Sequence, residues 1–65
     1  MAAPANGKRV LLIDDDQLVR EIFALEMAKS FSVAVAEDGA KGLAEVAAFT
    51  PHLIVLDLMM PFLDG

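Results

Sequence analysis

The chain contains no cysteine, no tryptophan and no tyrosine, and its only histidine is His52. Without cysteine, no disulfide can stabilise the 65 residues, and one histidine excludes the usual zinc sites built from several Cys and His ligands. A domain of this length buries only about 60% of the surface that its unfolded chain exposes. We therefore expect a marginal core, completed by a partner segment or by self-association.

Basic residues are also scarce. Five Lys and Arg stand against ten Asp and Glu, and the largest basic cluster is the pair Lys8-Arg9, so we expect no direct nucleic-acid binding. No apolar run approaches the roughly 18 residues of a membrane span, because Asp57 and Pro61 interrupt the longest candidate. Residues 1–7 have no signal-peptide core. These features predict a cytoplasmic protein without membrane contact and with a disordered tail over residues 1–7.

Apolar runs define the expected fold. Hydrophobic residues make up 57% of the chain, against roughly 45–50% in average soluble domains. Three short runs are apolar at consecutive positions, as in strands buried on both faces of a parallel sheet. Good helix formers separate them. The predicted elements are strands over residues 9–13, 31–36 and 53–56 and helices over residues 17–30 and 40–49, in the order β-α-β-α-β.

Both predicted helices carry apolar residues at helical spacing, which indicates the side that packs on the sheet. Gly42 lies inside the second helix and should weaken it by up to about 1 kcal/mol relative to alanine. The expected buried stripe of the first helix is Leu18, Ile22 and Leu25, with Val19 and Phe23 alongside. That of the second helix is Leu43, Val46 and Ala47.

Acidic residues stand where the first and third predicted strands end. Asp14, Asp15 and Asp16 follow the first strand directly, and Asp57 follows the third. Right-handed crossovers make the strands parallel, so their carboxyl ends meet at one edge, where open α/β sheets bind ligands. We expect Asp14, Asp15 and Asp57 to lie together at this edge, and Asp16 to cap the following helix.

Carboxylates at one edge repel each other unless a cation or a reaction accompanies them. Their oxygens suit Mg²⁺, which keeps several waters and accepts phosphate oxygens. A carboxylate can also attack a phosphoryl group and form an acyl phosphate. Asp57, a single acid at its strand end, is the candidate nucleophile, and Asp14 and Asp15 are the candidate metal ligands.

Two motifs at this spacing resemble the receiver domain of bacterial response regulators. An apolar strand ends in Asp14-Asp15, and about forty residues later another ends in Asp-x-x-Met-Pro-x-x-Asp-Gly, which here runs from Asp57 to Gly65. The resemblance covers residues 8–65. It implies a module of a two-component pathway that is not itself an enzyme.

The resemblance also implies site roles. Asp57 would accept a phosphoryl group from a sensor histidine kinase or a phosphotransfer protein. Asp14 and Asp15 would bind Mg²⁺ directly or through water, Asp57 would contribute to the same site, and the main-chain carbonyl of Met59 would supply a further ligand.

The fold implied by the resemblance is flavodoxin-like, with five parallel strands in the order 2-1-3-4-5. This sequence predicts only three of them, so we expect residues 8–65 to form a truncated receiver that a partner segment or an oligomer completes. The hydroxyl residue and the lysine that end strands four and five in the family have no counterpart here. Switching is therefore expected to be impaired.

Other interpretations remain open at this point. The motif Asp14-x-Asp16 also resembles the opening motif of haloacid-dehalogenase-type phosphotransferases, although the loop after Asp57 argues against it. A second alternative is a non-signalling decoy or assembly fragment that pairs with another receiver. Taken alone, the acids after the first strand fit a capped helix N-terminus. His52 is expected to be structural, and Met59 is expected to pack rather than bind a soft metal.

Overall fold

The structure is a computed structural model, and it describes residues 7–57. Residues 1–6 of the predicted tail and residues 58–65 lie outside the described residues. The described elements are β1 (Arg9–Asp14), α1 (Gln17–Met27), β2 (Ser32–Ala36), α2 (Gly39–Phe49) and β3 (Leu53–Asp57). This is the order that the sequence predicted, and α1 ends three residues earlier than expected.

The three strands form one parallel sheet in the order β2-β1-β3. This order agrees with the first three strands of a flavodoxin-like receiver, so the predicted α/β class is confirmed. The core centres on β1, where Val10, Leu11 and Leu12 are at most 2% exposed. A continuous apolar run is what a central strand requires, because both of its faces are covered.

Helix α1 turns a different side to the sheet than the sequence predicted. Leu18, Ile22 and Leu25 are 63%, 54% and 72% exposed, so the expectation that they form the buried stripe is wrong. The half-buried positions recur at i, i+3, i+4 and i+7 on the opposite side of the helix. They are Arg20, Phe23, Ala24 and Met27.

Helix α2 packs on the core cluster at the centre of the sheet. Val46 contacts the buried group of Leu11, Ile13 and Ala36, as its predicted stripe position indicated. Leu43 and Ala47 were predicted to be buried with it, and this is wrong: Leu43 is 74% exposed and Ala47 is exposed as well. Gly42 is the buried residue of this helix, and it lies one turn before Val46.

Close packing explains why a glycine stands on the inner side of α2. A Cβ atom built on Gly42 would overlap Cδ1 of Ile13 and lie 2.9 Å from its Cγ1. The absence of a side chain therefore lets α2 approach β1 closely. The helix-weakening residue found in the sequence is a packing residue in the fold.

Candidate functional site

The carboxyl edge of the sheet brings two of the predicted site residues together. Asp14 and Asp57 are register partners at the ends of β1 and β3, and neighbouring strands lie about 4.8 Å apart. Partners in register project to the same face of a sheet. Asp14 is only 2% exposed, whereas Asp57 is exposed. The more accessible carboxylate is thus the one predicted to accept the phosphoryl group.

Asp15 and Asp16 follow Asp14 in the short connection to α1, and both are exposed. Asp16 caps the helix, because its Oδ1 accepts hydrogen bonds from the main-chain N–H groups of Leu18 at 2.9 Å and Val19 at 3.2 Å. The capping role predicted for Asp16 is confirmed. Asp15 lies one residue beyond the end of β1, beside the edge formed by Asp14 and Asp57.

The Asp14 carboxylate is held by the loop that follows it. Its Oδ1 accepts a hydrogen bond from the main-chain N–H of Asp16 at 2.9 Å. This bond keeps the side chain from reaching freely into solvent, which suits a positioned ligand better than an attacking nucleophile.

Arg20 is a contributor to this edge that the sequence analysis missed. Its Nη1 donates a hydrogen bond to the main-chain carbonyl oxygen of Asp14 at 2.8 Å. The signal was a cation at i, i+3, i+4 and i+7 spacing with Phe23, Ala24 and Met27. That pattern was hidden by the more hydrophobic stripe on the other side of α1.

The donor chemistry of this edge fits Mg²⁺, because carboxylate oxygens are the ligands that it prefers. Within residues 7–57, however, no group of three or more Asp, Glu, His or Cys side chains is arranged as it stands to hold a metal ion. Met59, whose carbonyl was expected to be a ligand, lies outside the described residues. The described residues therefore present carboxylates at this edge, and the Mg²⁺ site itself stays a prediction.

The opposite edge of the sheet holds His52. The main-chain N–H of Arg9 donates to His52 Nδ1 at 3.0 Å, and the His52 main-chain N–H donates to the Arg9 carbonyl at 2.8 Å. The Arg9 Nε also donates to the carbonyl of Thr50 at 2.9 Å. These bonds tie the start of β1 to the segment before β3, so the structural role predicted for His52 is confirmed.

Electrostatics at this edge favour the neutral imidazole. Local desolvation, followed by the positive charges of Arg9 and Lys8, lowers the pKa of His52 from its ordinary value of 6.5. The neutral form is also the one whose Nδ1 can accept the hydrogen bond from Arg9.

An open parallel α/β sheet with acids at the carboxyl ends of two adjacent strands is typical of flavodoxin-like domains that bind ligands at this edge. Residues 10–65 match the response regulator receiver domain. The chain therefore belongs to the response regulator receiver family, which confirms the resemblance drawn from its motifs.

Individual relatives support the same assignment. The chain is 43% identical over 58 residues to response regulators named MprA from Mycolicibacterium vanbaalenii, Mycobacterium avium and Mycobacterium tuberculosis. The aligned region covers 88% of this chain and 25% of each relative, so the chain spans about a quarter of their length. No solved structure matches it. No helix within residues 7–57 is long and apolar enough to cross a membrane.

Proposed function

We propose that this chain is the phosphoacceptor part of a two-component pathway and that Asp57 receives a phosphoryl group from a sensor histidine kinase or a phosphotransfer protein. The observation that carries the proposal is the register of Asp14 with Asp57 at the carboxyl edge of the sheet. It places an exposed carboxylate beside a buried, hydrogen-bonded one. Family membership supports the same division of roles.

In the proposed transfer, an Asp57 carboxylate oxygen attacks phosphorus while the bond from phosphorus to the donor histidine nitrogen breaks. The product is an acyl phosphate on Asp57, and the departing imidazole nitrogen retains the electron pair of the broken bond. Asp14 and Asp15 would hold Mg²⁺, and Asp57 and the main-chain carbonyl of Met59 would be further ligands. The ion, when bound, offsets negative charge on the transferring group.

The dehalogenase-type alternative would make Asp14 the nucleophile. Its burial to 2% exposure and the bond from the Asp16 N–H both oppose that role. The match to the receiver family over residues 10–65 opposes it as well. We therefore retain Asp57 as the proposed acceptor and treat the module as a signalling part rather than an enzyme.

Acetyl phosphate tests the proposal without requiring an identified kinase. The chain is incubated with this donor and Mg²⁺, and any base-labile phosphate is located by mass spectrometry. We expect label on Asp57 that disappears when the metal is chelated and in Asp57→Asn. The matched control is Asp38→Asn, because asparagine caps a helix as well as aspartate does and Asp38 caps α2.

The outcomes separate the candidate functions. Label on Asp14 would reject the receiver site and revive the dehalogenase-type reaction. A chain that takes no label on any residue would reject the acceptor function and favour the decoy or assembly fragment.

We also propose that another polypeptide segment covers β3 in the working protein, either from a second copy of this chain or from a further part of a receiver. In the described sheet β3 is an edge strand, and Leu53, Ile54 and Leu56 are 55%, 47% and 64% exposed. Apolar edge strands of this kind pair with other chains.

The expectation that the module avoids nucleic acid and membranes stays a prediction.

A further inference from the structure

Arg20 occupies a position where the packing of α1 calls for an apolar residue. It is half-buried with Phe23, Ala24 and Met27 on the side of the helix that packs on the sheet. A guanidinium group at such a place loses part of its hydration, which is unfavourable unless hydrogen bonds replace it. The structure supplies one of these through Arg20 Nη1 and the Asp14 carbonyl oxygen, at 2.8 Å.

The bond connects three parts of the candidate site. It joins the second turn of α1 to the last residue of β1, and it spans the connection that contains Asp15 and Asp16. Two sets of hydrogen bonds inside the connection also restrain it: the Asp16 N–H bond to Asp14 Oδ1 and the helix cap formed by Asp16. The Arg20 side chain adds a restraint from α1.

The choice of acceptor atom matters for metal binding. A guanidinium bonded to the Asp14 carboxylate would compete with a cation for the same oxygens. The bond described here instead goes to the main-chain carbonyl, so it fixes the loop while the carboxylate keeps capacity to coordinate. Groups that orient ligands in this way commonly change metal affinity by about 10–100-fold when they are removed.

We infer that Arg20 is a positioning residue that holds the loop over residues 14–16 in the shape required to bind Mg²⁺. This inference rests on the proposed function as far as the metal is concerned. Its alternative is a merely structural arginine that satisfies one carbonyl and has no influence on the loop.

The sign of the effect on Mg²⁺ affinity distinguishes positioning from simple charge. Removing a nearby positive charge would by itself tighten binding of a cation. Loss of positioning would weaken it. Arg20→Met keeps an unbranched apolar stem while removing the guanidinium, and Lys29→Met is the matched control. Lys29 lies beyond the end of α1, where it pairs with Glu26 at 3.3 Å, and its substitution removes the same unit of charge.

The experiment measures two quantities in the full chain: the Mg²⁺ dissociation constant by titration, and the exchange rate of the Asp16 amide without metal. We expect Arg20→Met to raise the dissociation constant about tenfold and to accelerate amide exchange. Arg20→Lys should bring the dissociation constant and the exchange rate part of the way back to those of the unaltered chain. Lys29→Met should change neither quantity. Equal or tighter Mg²⁺ binding in a folded Arg20→Met chain would overturn the inference.

Exchange of the Asp16 amide reports on the loop whether or not the chain binds Mg²⁺. If the unaltered chain binds no Mg²⁺, the proposed metal site is rejected, and the exchange rate alone decides whether Arg20 holds the loop. Unchanged exchange of the Asp16 amide in Arg20→Met would then reject the positioning role.

Discussion

Gly42 and Ile13 make the packing of α2 against β1 open to a quantitative test. Gly42 is the buried residue of α2, and a Cβ there would overlap Cδ1 of Ile13 and lie 2.9 Å from Cγ1 and 3.7 Å from Cγ2. Real Cβ atoms essentially never approach other heavy atoms closer than 3.0 Å. Gly42→Ala must therefore move Ile13 or push the helix away from the sheet.

The size of the effect follows from two opposing terms. Alanine gains about 1 kcal/mol over glycine inside a helix, while overpacking a core costs about 1–3 kcal/mol. We expect Gly42→Ala to lower the free energy of unfolding by about 1 kcal/mol. Ile13→Val removes the overlapping Cδ1 methyl and costs about 0.5–1.5 kcal/mol by itself. In the double variant the new methyl enters the space vacated by Cδ1 and only the 2.9 Å approach to Cγ1 remains, so the coupling free energy should favour the pair by about 1 kcal/mol.

Urea unfolding followed by far-ultraviolet circular dichroism provides the four stabilities. Intrinsic fluorescence is unsuitable, because the chain has no tryptophan or tyrosine. Protein concentration is held constant across the variants, since association would shift the apparent stability. Gly39→Ala is the matched control: it lies in the same helix, and a Cβ there meets nothing within 4 Å. It should stabilise the chain by about 0.4–1 kcal/mol.

Two results would contradict this close packing. The first is a Gly42→Ala variant as stabilised as Gly39→Ala, which would mean that α2 does not approach β1 as closely as described. The second is additivity of Gly42→Ala and Ile13→Val within about 0.5 kcal/mol, which is the behaviour of residues that do not touch.

Two further predictions concern the pH dependence of folding and self-association. Because the pKa of His52 lies below 6.5 in the folded chain, the unfolded chain takes up the proton first as the pH falls. The contribution of His52 to stability is therefore full above about pH 6.5 and is lost as the pH falls through the lowered pKa. The urea midpoint should show this loss relative to His52→Asn, which retains a side-chain acceptor for the Arg9 N–H, and a pH-independent difference between the two chains would contradict it. Sedimentation at several concentrations should show self-association of the chain. Ile54→Lys on β3 should abolish it, and Leu43→Lys on the outer side of α2 should leave it intact. A compact monomer at all concentrations would rule out pairing with a second copy.

The sequence was sufficient for the elements and for the acidic edge. Consecutive apolar residues identify buried strands without knowledge of their neighbours, and an aspartate at the end of such a run marks where the strand leaves the core. Parallel order then follows from the alternation of strands and helices. For these reasons Asp14 and Asp57 could be expected at the same edge of the sheet before their register was known.

The inner side of α1 could not be predicted in the same way. Leu18, Ile22 and Leu25 form the more hydrophobic side, yet Phe23 and Met27 lie on the side that packs. When both sides of a helix carry apolar residues, periodicity identifies a helix but does not determine its rotation about the axis. That rotation depends on contacts distant in the sequence.

Arg20 and Gly42 are two residues that local rules disfavour where they stand, one a cation on an inner helix face and the other a glycine in a helix interior. Their contacts fall on consecutive residues: Gly42 meets Ile13, and Arg20 binds Asp14. Gly42 of α2 approaches the Ile13 side chain and Arg20 of α1 binds the Asp14 main chain, so both helices contact the end of β1. Departures from local rules concentrate at functional sites when the surrounding fold compensates for them. Here both contacts fall on the last two residues of β1, the strand end that carries the proposed Mg²⁺ ligand Asp14.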